Sequence, residues 1–320
     1  MSVNTKFELK LGAATREAFG KAIVDLGKAD PNVVVCDADL SKSTFTHLFA
    51  KEFPNRFFSC GIAEANMVSI GAGLASSGKI AFVSSFSAFV LNKGFEQLRV
   101  NCAYAQVPLK VVGTHSGISI GEDGPSQMSV EDISLACSLA GFTVISPADE
   151  VSMSALVKAA AYHDGPVFIR AGRVKAPIVH TAEQKFEIGK AIQLIEGKDI
   201  TFIATGLLVA ECIRAADILA GEGISAGVID IHTIKPIDRD AIAAAAKNTG
   251  CIVVAEEHFT DSGLGVKVAQ VVCETHPCVM EFHGMGNYYA ESGTPEEVMT
   301  KYKMTGADIA VTARKALARK

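Results

Sequence analysis

Residues 57–89 read FFSCGIAEANMVSIGAGLASSGKIAFVSSFSAF, and this stretch decides the fold class. Small residues dominate positions 65–77, which predicts a helix with Glu64 at its start. The apolar run at 79–86 predicts a buried strand with two phenylalanines at its end. In an open α/β sheet, ligands bind at the carboxyl ends of the strands. The stretch therefore indicates an α/β domain with a carboxylate and two aromatic rings near a ligand-binding edge.

Glu64 taken alone has an ordinary explanation. A carboxylate in the first turn of a helix is favoured by the helix dipole, typically by about 0.3–1 kcal/mol. A functional interpretation of Glu64 therefore depends on the motifs that accompany it elsewhere in the chain.

Apolar strands alternate with helices along the rest of the chain. Near-continuous apolar strands are typical of a parallel sheet that helices cover on both faces. The predicted strands are 33–36, 109–114, 143–146, 167–170, 200–204, 227–231, 251–255 and 278–282. The predicted helices are 12–28, 92–105, 130–140, 149–162, 208–220, 238–247, 263–274 and a closing helix at 304–320.

The alternation breaks once, in a polar and irregular segment at 174–186 that includes Pro177. We therefore predict an α/β protein of two consecutive parallel-sheet domains. The larger domain occupies 1–175, a linker 176–187 and the smaller domain 188–320. A chain of 320 residues agrees with about two domains of ordinary size.

Composition argues against several classes of protein. The net charge is −5 and the sequence pI about 5.9, so nothing points to nucleic acid or to an anionic membrane. No apolar run is long enough for a membrane span, and the opening MSVNTKFELKLG lacks the apolar core of a secretory signal. The eight cysteines show no disulfide-framework spacing. We therefore expect a cytoplasmic protein with reduced thiols.

One cluster near the C-terminus contains the residue types that ligate zinc: Cys273, His276, Cys278 and His283. Their spacing fits no standard zinc finger, and Cys278 opens an apolar strand. The sequence therefore assigns no metal ligand to this chain and leaves the four residues as a candidate cluster.

A glycine-rich loop follows the strand predicted at 109–114. From His115 to Gln127 it contains three glycines and an Asp-Gly-Pro turn, which predicts a polar, tightly folded loop at the ligand-binding edge. Four motifs in order resemble the pyrimidine-binding domain of the transketolase family: GIAEANM (61–67), SSFSAF (84–89), THSGISIGEDGPSQ (114–127) and VFIRAGR (167–173).

The second half of the chain resembles the C-terminal domain of the same family. The resemblance starts near Ile188 and is clearest in IKPID (234–238) and AEEHFTDSGLG (255–265). Together the two resemblances cover nearly the whole chain, so no single motif carries the comparison.

The resemblance implies thiamine diphosphate as the cofactor. In this family a carboxylic acid bonds N1′ of the aminopyrimidine, and the amino group of the cofactor then removes the C2 proton of the thiazolium. Glu64 matches that acid, Phe86 the ring that stacks on the pyrimidine, and Phe89 a second wall. Asp39 matches a residue that faces the cofactor across the subunit interface. Without Glu64, both rings would be interpreted as core aromatics at a strand end.

The resemblance also implies transfer of a two-carbon ketol unit from a ketose phosphate to an aldose phosphate. Arg16, Ser43 and Arg173 match the phosphate contacts of the family, which need fixed cations and hydroxyl donors. His115 and Asp123 match residues that contact substrate hydroxyls, and we place His115 among the catalytic residues as well. The alternative for each phosphate contact is an ordinary exposed side chain.

The chain departs from the family pattern at Gln127. The family usually has a histidine there, in contact with the first hydroxyl or the carbonyl oxygen of the donor. An amide donates a hydrogen bond but carries no charge and relays no proton. This difference concerns the identity of the donor ketose, including a non-standard or branched one. Ala63 and Ala65 also replace the Arg and His that often flank the glutamate, outside the essential contact.

The sequence contains no Gly-Asp-Gly motif with a downstream Asn, which holds the diphosphate and Mg²⁺ in thiamine enzymes. We therefore expect a split transketolase in which this chain is the C-terminal subunit. A separate N-terminal subunit would carry the diphosphate and Mg²⁺ site, in a heterotetramer with two copies of each chain. A chain break between compact domains is physically tolerable.

Three alternatives stay open at this point. The β subunit of a 2-oxoacid dehydrogenase has the same two-domain layout, and a deoxyxylulose-phosphate synthase half is a related possibility. The third is a non-catalytic regulatory paralogue, which would have no need of a carboxylate beside an apolar cofactor pocket. A nicotinamide-binding protein is disfavoured because no glycine fingerprint follows a strand.

Overall fold

The computed structural model describes residues 8–320. These residues form two α/β units whose sheets are mostly parallel, which confirms the predicted fold class. The polar N-terminal segment interpreted above begins in residues 1–7, which lie outside the described residues.

The larger sheet has seven strands. They are β2 (Val33–Asp37), β3 (Phe57–Ser59), β4 (Ile80–Phe86), β5 (Lys110–Thr114), β6 (Thr143–Ile145), β7 (Val167–Arg170) and β12 (Thr233–Lys235). Their order is β12-β6-β7-β5-β4-β2-β3, and all pairings except β12 with β6 are parallel. Strands β2 and β5 are buried at every position, as expected for a sheet covered on both faces.

Helices cover this sheet. They are α1 (Thr15–Ala29), α2 (Ser41–Thr44), α3 (His47–Glu52), α4 (Glu64–Ser76), α5 (Ser87–Gln97), α6 (Asp132–Ser138) and α7 (Glu150–Ala161). Helix α5 begins at Ser87, directly after β4, and continues as a π-helix over Leu98–Tyr104. The helix start predicted at 92 was wrong, because the apolar run through 86–91 hides the change of period. Phe89 therefore lies in the first turn of α5.

The predicted linker is partly ordered structure. Strand β8 (Lys175–Pro177) pairs antiparallel with β1 (Leu11–Ala14) at the start of the described chain. Beyond β8, Val179 and His180 are buried, and the Asp149 carboxylate accepts the backbone N–H of both. The polar composition of this segment did not predict these contacts, because their partners lie far away in the sequence.

The smaller sheet has the order β14-β13-β10-β11-β9. Its strands are β9 (Ile192–Ile195), β10 (Ile200–Ala204), β11 (Ala226–Asp230), β13 (Cys251–Phe259) and β14 (Val279–Met285). Its helices are α8 (Leu208–Ala220), α9 (Arg239–Thr249), α10 (Leu264–Glu274), α11 (Pro295–Lys301) and α12 (Gly306–Leu317). Only β9 is antiparallel. Strand β13 runs past the predicted end at Ala255, which brings its last residues to the first unit.

Strand β12 crosses between the units, since it follows β11 in the chain yet pairs with β6 of the larger sheet. The domain boundaries at 175 and 188 therefore stay a prediction.

All eight cysteines are free thiols. Within residues 8–320, no three His, Cys, Asp or Glu side chains come together as a metal site, so the candidate zinc cluster does not assemble. His283 instead pairs with the Thr312 hydroxyl at 2.9 Å and the Lys303 carbonyl at 2.8 Å. None of the helices in the described part of the chain is long and apolar enough to span a membrane.

Candidate active site

Glu64 opens α4 at the carboxyl edge of the larger sheet. Its side chain is only 3% exposed, and its Oε1 atom has no hydrogen-bond partner. Oε2 lies 3.6 Å from Nζ of Lys93, whose side chain is half exposed. A buried acceptor left unsatisfied costs roughly 1–3 kcal/mol, so such an atom in a native fold needs an explanation. The free oxygen fits a hydrogen-bonding group supplied by a ligand.

Phe86 and Phe89 form an aromatic wall beside this carboxylate. Phe86 ends β4 and Phe89 lies one helical turn further on, with ring centroids 5.4 Å apart and planes 14° apart. Lys93 Nζ sits 4.5 Å from the Phe89 ring centroid and so connects the rings to Glu64. We call Glu64, Phe86 and Phe89 the carboxylate side of the site.

His115 stacks on Phe86 with ring centroids 3.7 Å apart. It follows β5 with φ of +58°, in the left-handed region that side chains other than glycine seldom adopt. Its Nε2 lies 3.2 Å from a guanidinium nitrogen of Arg16, and its Nδ1 lies 2.9 Å from Oγ1 of Thr114. Because arginine only donates, Nε2 accepts, and Nδ1 carries the proton toward Thr114.

His115 is held neutral. Burial lowers the pKa of its imidazole to about 3, and the charges of Arg16 and Arg173 act in the same direction. At neutral pH the ring therefore exchanges hydrogen bonds without carrying a positive charge, and any ligand group that replaces Arg16 at Nε2 must donate to it.

Arg16 contacts three of the residues that the sequence predicted to bind substrate, namely Ser43, His115 and Arg173. Its side chain donates to the carbonyls of Ser43 at 2.7 Å and Arg173 at 3.1 Å, and its guanidinium lies 5.2 Å from the Phe45 ring. Burial lowers the pKa of Arg16, and the nearby charge of Arg173 adds to that effect. Ser43 reaches Arg16 through its backbone, so its hydroxyl stays free of this contact.

Arg173 follows β7 and reaches the loop at 115–128. One of its nitrogens donates to the Ile120 carbonyl at 3.0 Å and to the Glu122 carboxylate at 2.7 Å. Glu122 is more than half exposed, so an anionic ligand could displace it at small cost. We call Arg16, Ser43, His115 and Arg173 the anion side of the site.

Three predicted site residues stand apart from this cluster. Asp39 is exposed after β2 with φ of +65°, and Asp123 is exposed in a short 3-10 turn, where its charge acts on Arg16. Gln127 is half buried, and its side-chain oxygen accepts from the Ser126 hydroxyl. Among the described residues, no hydrogen bond joins the side chains of these three to Glu64 or Arg16.

Sequence reasoning missed two contact residues. Lys93 lies four positions after Phe89 on α5, a spacing that brings helical side chains together, but the helix was predicted to begin at 92. Glu122 neighbours Asp123 in the loop, and no local pattern distinguishes which of the two acids meets Arg173.

Comparison with known proteins shows which family the chain belongs to. Residues 12–177 match the transketolase pyrimidine-binding domain, and residues 189–309 match the transketolase C-terminal domain. The chain belongs to the transketolase family. The resemblance drawn from the sequence motifs is confirmed.

Related transketolase proteins fall into short and long chains. The chain is 40% identical over 299 residues to a Methanocaldococcus jannaschii protein described as a transketolase C-terminal section, covering 92% of this chain and 93% of that one. It is 36% identical over 319 residues to a 6-deoxy-6-sulfo-D-fructose transketolase subunit of Clostridium sp., covering 99% of each. Human transketolase is 38% identical over 299 residues, but the match spans 47% of its length and 92% of this chain.

Solved structures of transketolases agree in fold. A split-gene transketolase described as an inactive β4 tetramer superposes with a TM-score of 0.90 and 43% identity, covering 96% of this chain and 99% of that one. A transketolase from Leishmania mexicana superposes with a TM-score of 0.83 over all of this chain and 48% of its own, at 22% identity. At that identity the likeness concerns the fold alone.

Proposed function

We propose that this chain is the C-terminal subunit of a thiamine-diphosphate-dependent transketolase. It transfers a two-carbon ketol unit from a ketose phosphate to an aldose phosphate, together with a separate N-terminal subunit. The observation that carries the proposal is the buried Glu64 Oε1, unpartnered beside the stacked rings of Phe86 and Phe89.

The carboxylate side fits the aminopyrimidine half of the cofactor. Glu64 would hold the ring nitrogen N1′ through the orphaned Oε1, donating to N1′ as a carboxylic acid and accepting from it once N1′ carries the proton. Phe86 and Phe89 supply apolar faces that keep water away from this bond, where a low dielectric strengthens it. Thiamine diphosphate supplies, when bound, a nucleophilic carbon for cleavage of the ketose.

The anion side fits the phosphorylated sugars. Arg16 and Arg173 supply fixed positive charges, and the Ser43 hydroxyl is free to donate. His115, held neutral, exchanges hydrogen bonds with sugar hydroxyls without repelling the nearby guanidiniums. Asp123 and Gln127 lie on the same loop and provide further polar contacts to the sugar.

The diphosphate and Mg²⁺ belong to a partner chain in this proposal. This sequence contains no Gly-Asp-Gly motif, and its relatives include proteins described as a C-terminal section and as a split-gene transketolase. The partner carries Gly-Asp-Gly and a downstream Asn, in a heterotetramer of two plus two chains. Asp39, exposed after β2, is then positioned to face the cofactor at the interface.

The test is affinity purification of the chain from its native cell, with sequencing of any protein that co-purifies in stoichiometric amount. We expect a partner that carries Gly-Asp-Gly and a downstream Asn. Isolation of a lone homodimer that binds no thiamine diphosphate would overturn the catalytic proposal and favour a regulatory paralogue.

Activity assays on the purified complex then identify the donor substrate. We expect ketol transfer from a ketose phosphate, and a sulfonated ketose belongs in the panel because one relative is a sulfofructose transketolase subunit. Exclusive use of pyruvate or another 2-oxoacid would instead establish the dehydrogenase-like or deoxyxylulose-phosphate-synthase-like alternative.

A further inference from the structure

We propose that Glu257 of the C-terminal domain is a positioning residue that holds the substrate loop, defined as residues 115–128, in its active geometry. The identity of the ligand that this loop binds rests on the proposed function. The contact between Glu257 and the loop is independent of it.

Glu257 reaches across from β13. The residue is 3% exposed, and its carboxylate accepts the backbone N–H of Ser119 in the middle of the substrate loop. Gly117 approaches the same carboxylate so closely that a Cβ atom there would overlap it, and its φ is +81°. The loop backbone thus folds directly onto one side chain of the other domain.

The apolar side chains of the substrate loop pack into the same domain. Ile118, Ile120 and Met128 are buried in the hydrophobic cluster built mainly from β10, β13 and α8 of the C-terminal domain. Just beyond the loop, the Val130 carbonyl accepts the N–H of Phe259 at 2.9 Å. The loop is therefore part of the first domain in sequence, but its side chains pack in the core of the C-terminal domain.

The position of the substrate loop determines where the groups of the anion side lie. His115 opens the loop and bonds Arg16, and the Ile120 carbonyl, one residue after Ser119, accepts from Arg173. A displacement of Ser119 therefore moves the groups that orient both arginines. Loss of the Glu257 contact is therefore expected to weaken the binding of phosphorylated sugars on the anion side.

Arg170 connects β13, the strand that carries Glu257, to the carboxylate side of the site. Its side chain donates to the Glu257 carbonyl at 2.9 Å and pairs with Asp132 at 2.8 Å, and Asp132 accepts the Ser87 hydroxyl at 2.8 Å, next to Phe86. The hydrogen bond from Arg170 uses the backbone of Glu257, and the carboxylate of Glu257 acts on Arg170 through its charge alone. Glu257→Gln removes that charge and keeps the acceptor oxygen, so it separates the charge effect from the loop contact.

The neighbouring Glu256 offers a matched control. It is equally buried, but its carboxylate accepts the N–H groups of Leu264 and Gly265 at 2.7 and 2.8 Å, at the start of α10. Successive side chains of a strand point to opposite faces, which separates the two roles. Glu256→Gln disturbs the domain interior and leaves the loop contact in place.

Amide hydrogen exchange on the full chain tests the contact without any activity. The reporters are the amides of Gly121 and Met128, which bond within the loop, and those of β10 as a reference for global opening. We expect Glu257→Ala to speed exchange in the loop about tenfold, with β10 unchanged. Glu257→Gln, which keeps an acceptor oxygen, restores the protection, and Glu256→Gln leaves it unchanged. Loop exchange within twofold of wild type, or a rise shared by β10, would overturn the proposal.

Kinetics of the reconstituted complex provide the second readout. Glu257→Ala should raise KM for phosphorylated sugars about tenfold, leave kcat within about twofold and leave thiamine diphosphate binding unchanged. An unchanged KM, or equal defects in the Ala and Gln variants, would contradict the role. If the wild-type complex transfers no ketol unit, the proposed function fails, while the exchange data still decide the role of Glu257.

Discussion

The carboxylate side and the anion side of the site lie against each other, joined where His115 stacks on Phe86, yet they differ in how far the chain satisfies them. Glu64 keeps a buried oxygen without a partner, whereas Arg16 makes three polar contacts within the chain. The first side is completed by a group from outside, and the second is organised before any ligand arrives. Under the proposed function, the chain preorganises the contacts to the substrate and leaves the contact to the cofactor open.

This difference has an energetic consequence. A buried polar oxygen without a hydrogen bond costs roughly 1–3 kcal/mol, and a cofactor group that forms a hydrogen bond with that atom would recover this cost. Ligands that bind only the folded state stabilise it. We therefore expect cofactor binding to stabilise the complex chiefly through the carboxylate side.

The largest effect is expected from Glu64→Gln. The amide keeps the shape of the side chain but exchanges no proton at N1′, so ketol transfer in the reconstituted complex should fall by roughly 10²–10⁴-fold while the complex still assembles. Transfer rate and subunit stoichiometry are the measurements. Glu96→Gln, at an exposed acid paired with Arg99, is the control that should behave as wild type. Substantial residual transfer would remove Glu64 from the proton-exchange role.

The next effect is expected on the anion side. Arg173→Ala removes a charge-assisted contact to phosphate, which should raise KM for phosphorylated sugars about tenfold or more. Arg173→Lys keeps the positive charge but loses the planar guanidinium, so its KM should lie between the values of the wild type and the Ala variant. Steady-state kinetics with Arg99→Ala as the surface control measure this. If KM is the same in the Ala variant and wild type, Arg173 does not contact the phosphate.

A smaller effect is expected at Gln127, where the loop departs from the family. Gln127→His restores a ring that can carry charge, and it should change the ratio of kcat/KM between two ketose donors by a few-fold, or ~1 kcal/mol. Gln270→His on the exposed face of α10 is the control. A donor panel used in unchanged proportions would show that Gln127 does not set specificity.

The smallest effect on activity is expected from the protonation of His115. Its pKa of about 3 lies below the unfolded value of 6.5, so the unfolded chain binds more protons between these values and stability falls as pH drops through that window. The slope is at most about 1.4 kcal/mol per pH unit. His115→Asn should lose less stability between pH 6 and 4 in denaturant unfolding, and activity should show no titration of His115 between about pH 5 and 8. An imidazole signal that titrates near 6.5 would contradict this.

The sequence predicted the ends of strands and helices well where the hydrophobic periodicity was clear. Strands 167–170 and 200–204 and helix 208–220 lie where expected, because apolar runs bounded by glycine and proline act locally. The start of α5 and the pairing of β8 with β1 escaped prediction, since an unbroken apolar run and a long-range pairing leave no local pattern.

By itself, the sequence determined the family, the α/β class and the residues placed at the ligand-binding edge, because motif order and periodicity are properties of the chain alone. Only the tertiary structure decided that Glu64 has a free buried oxygen, that His115 is neutral, and that the substrate loop packs into the other domain. Arg16 and His115 are 99 positions apart, and Ser119 and Glu257 are 138 apart. Burial and hydrogen bonding between such distant groups arise from packing, which no local pattern encodes.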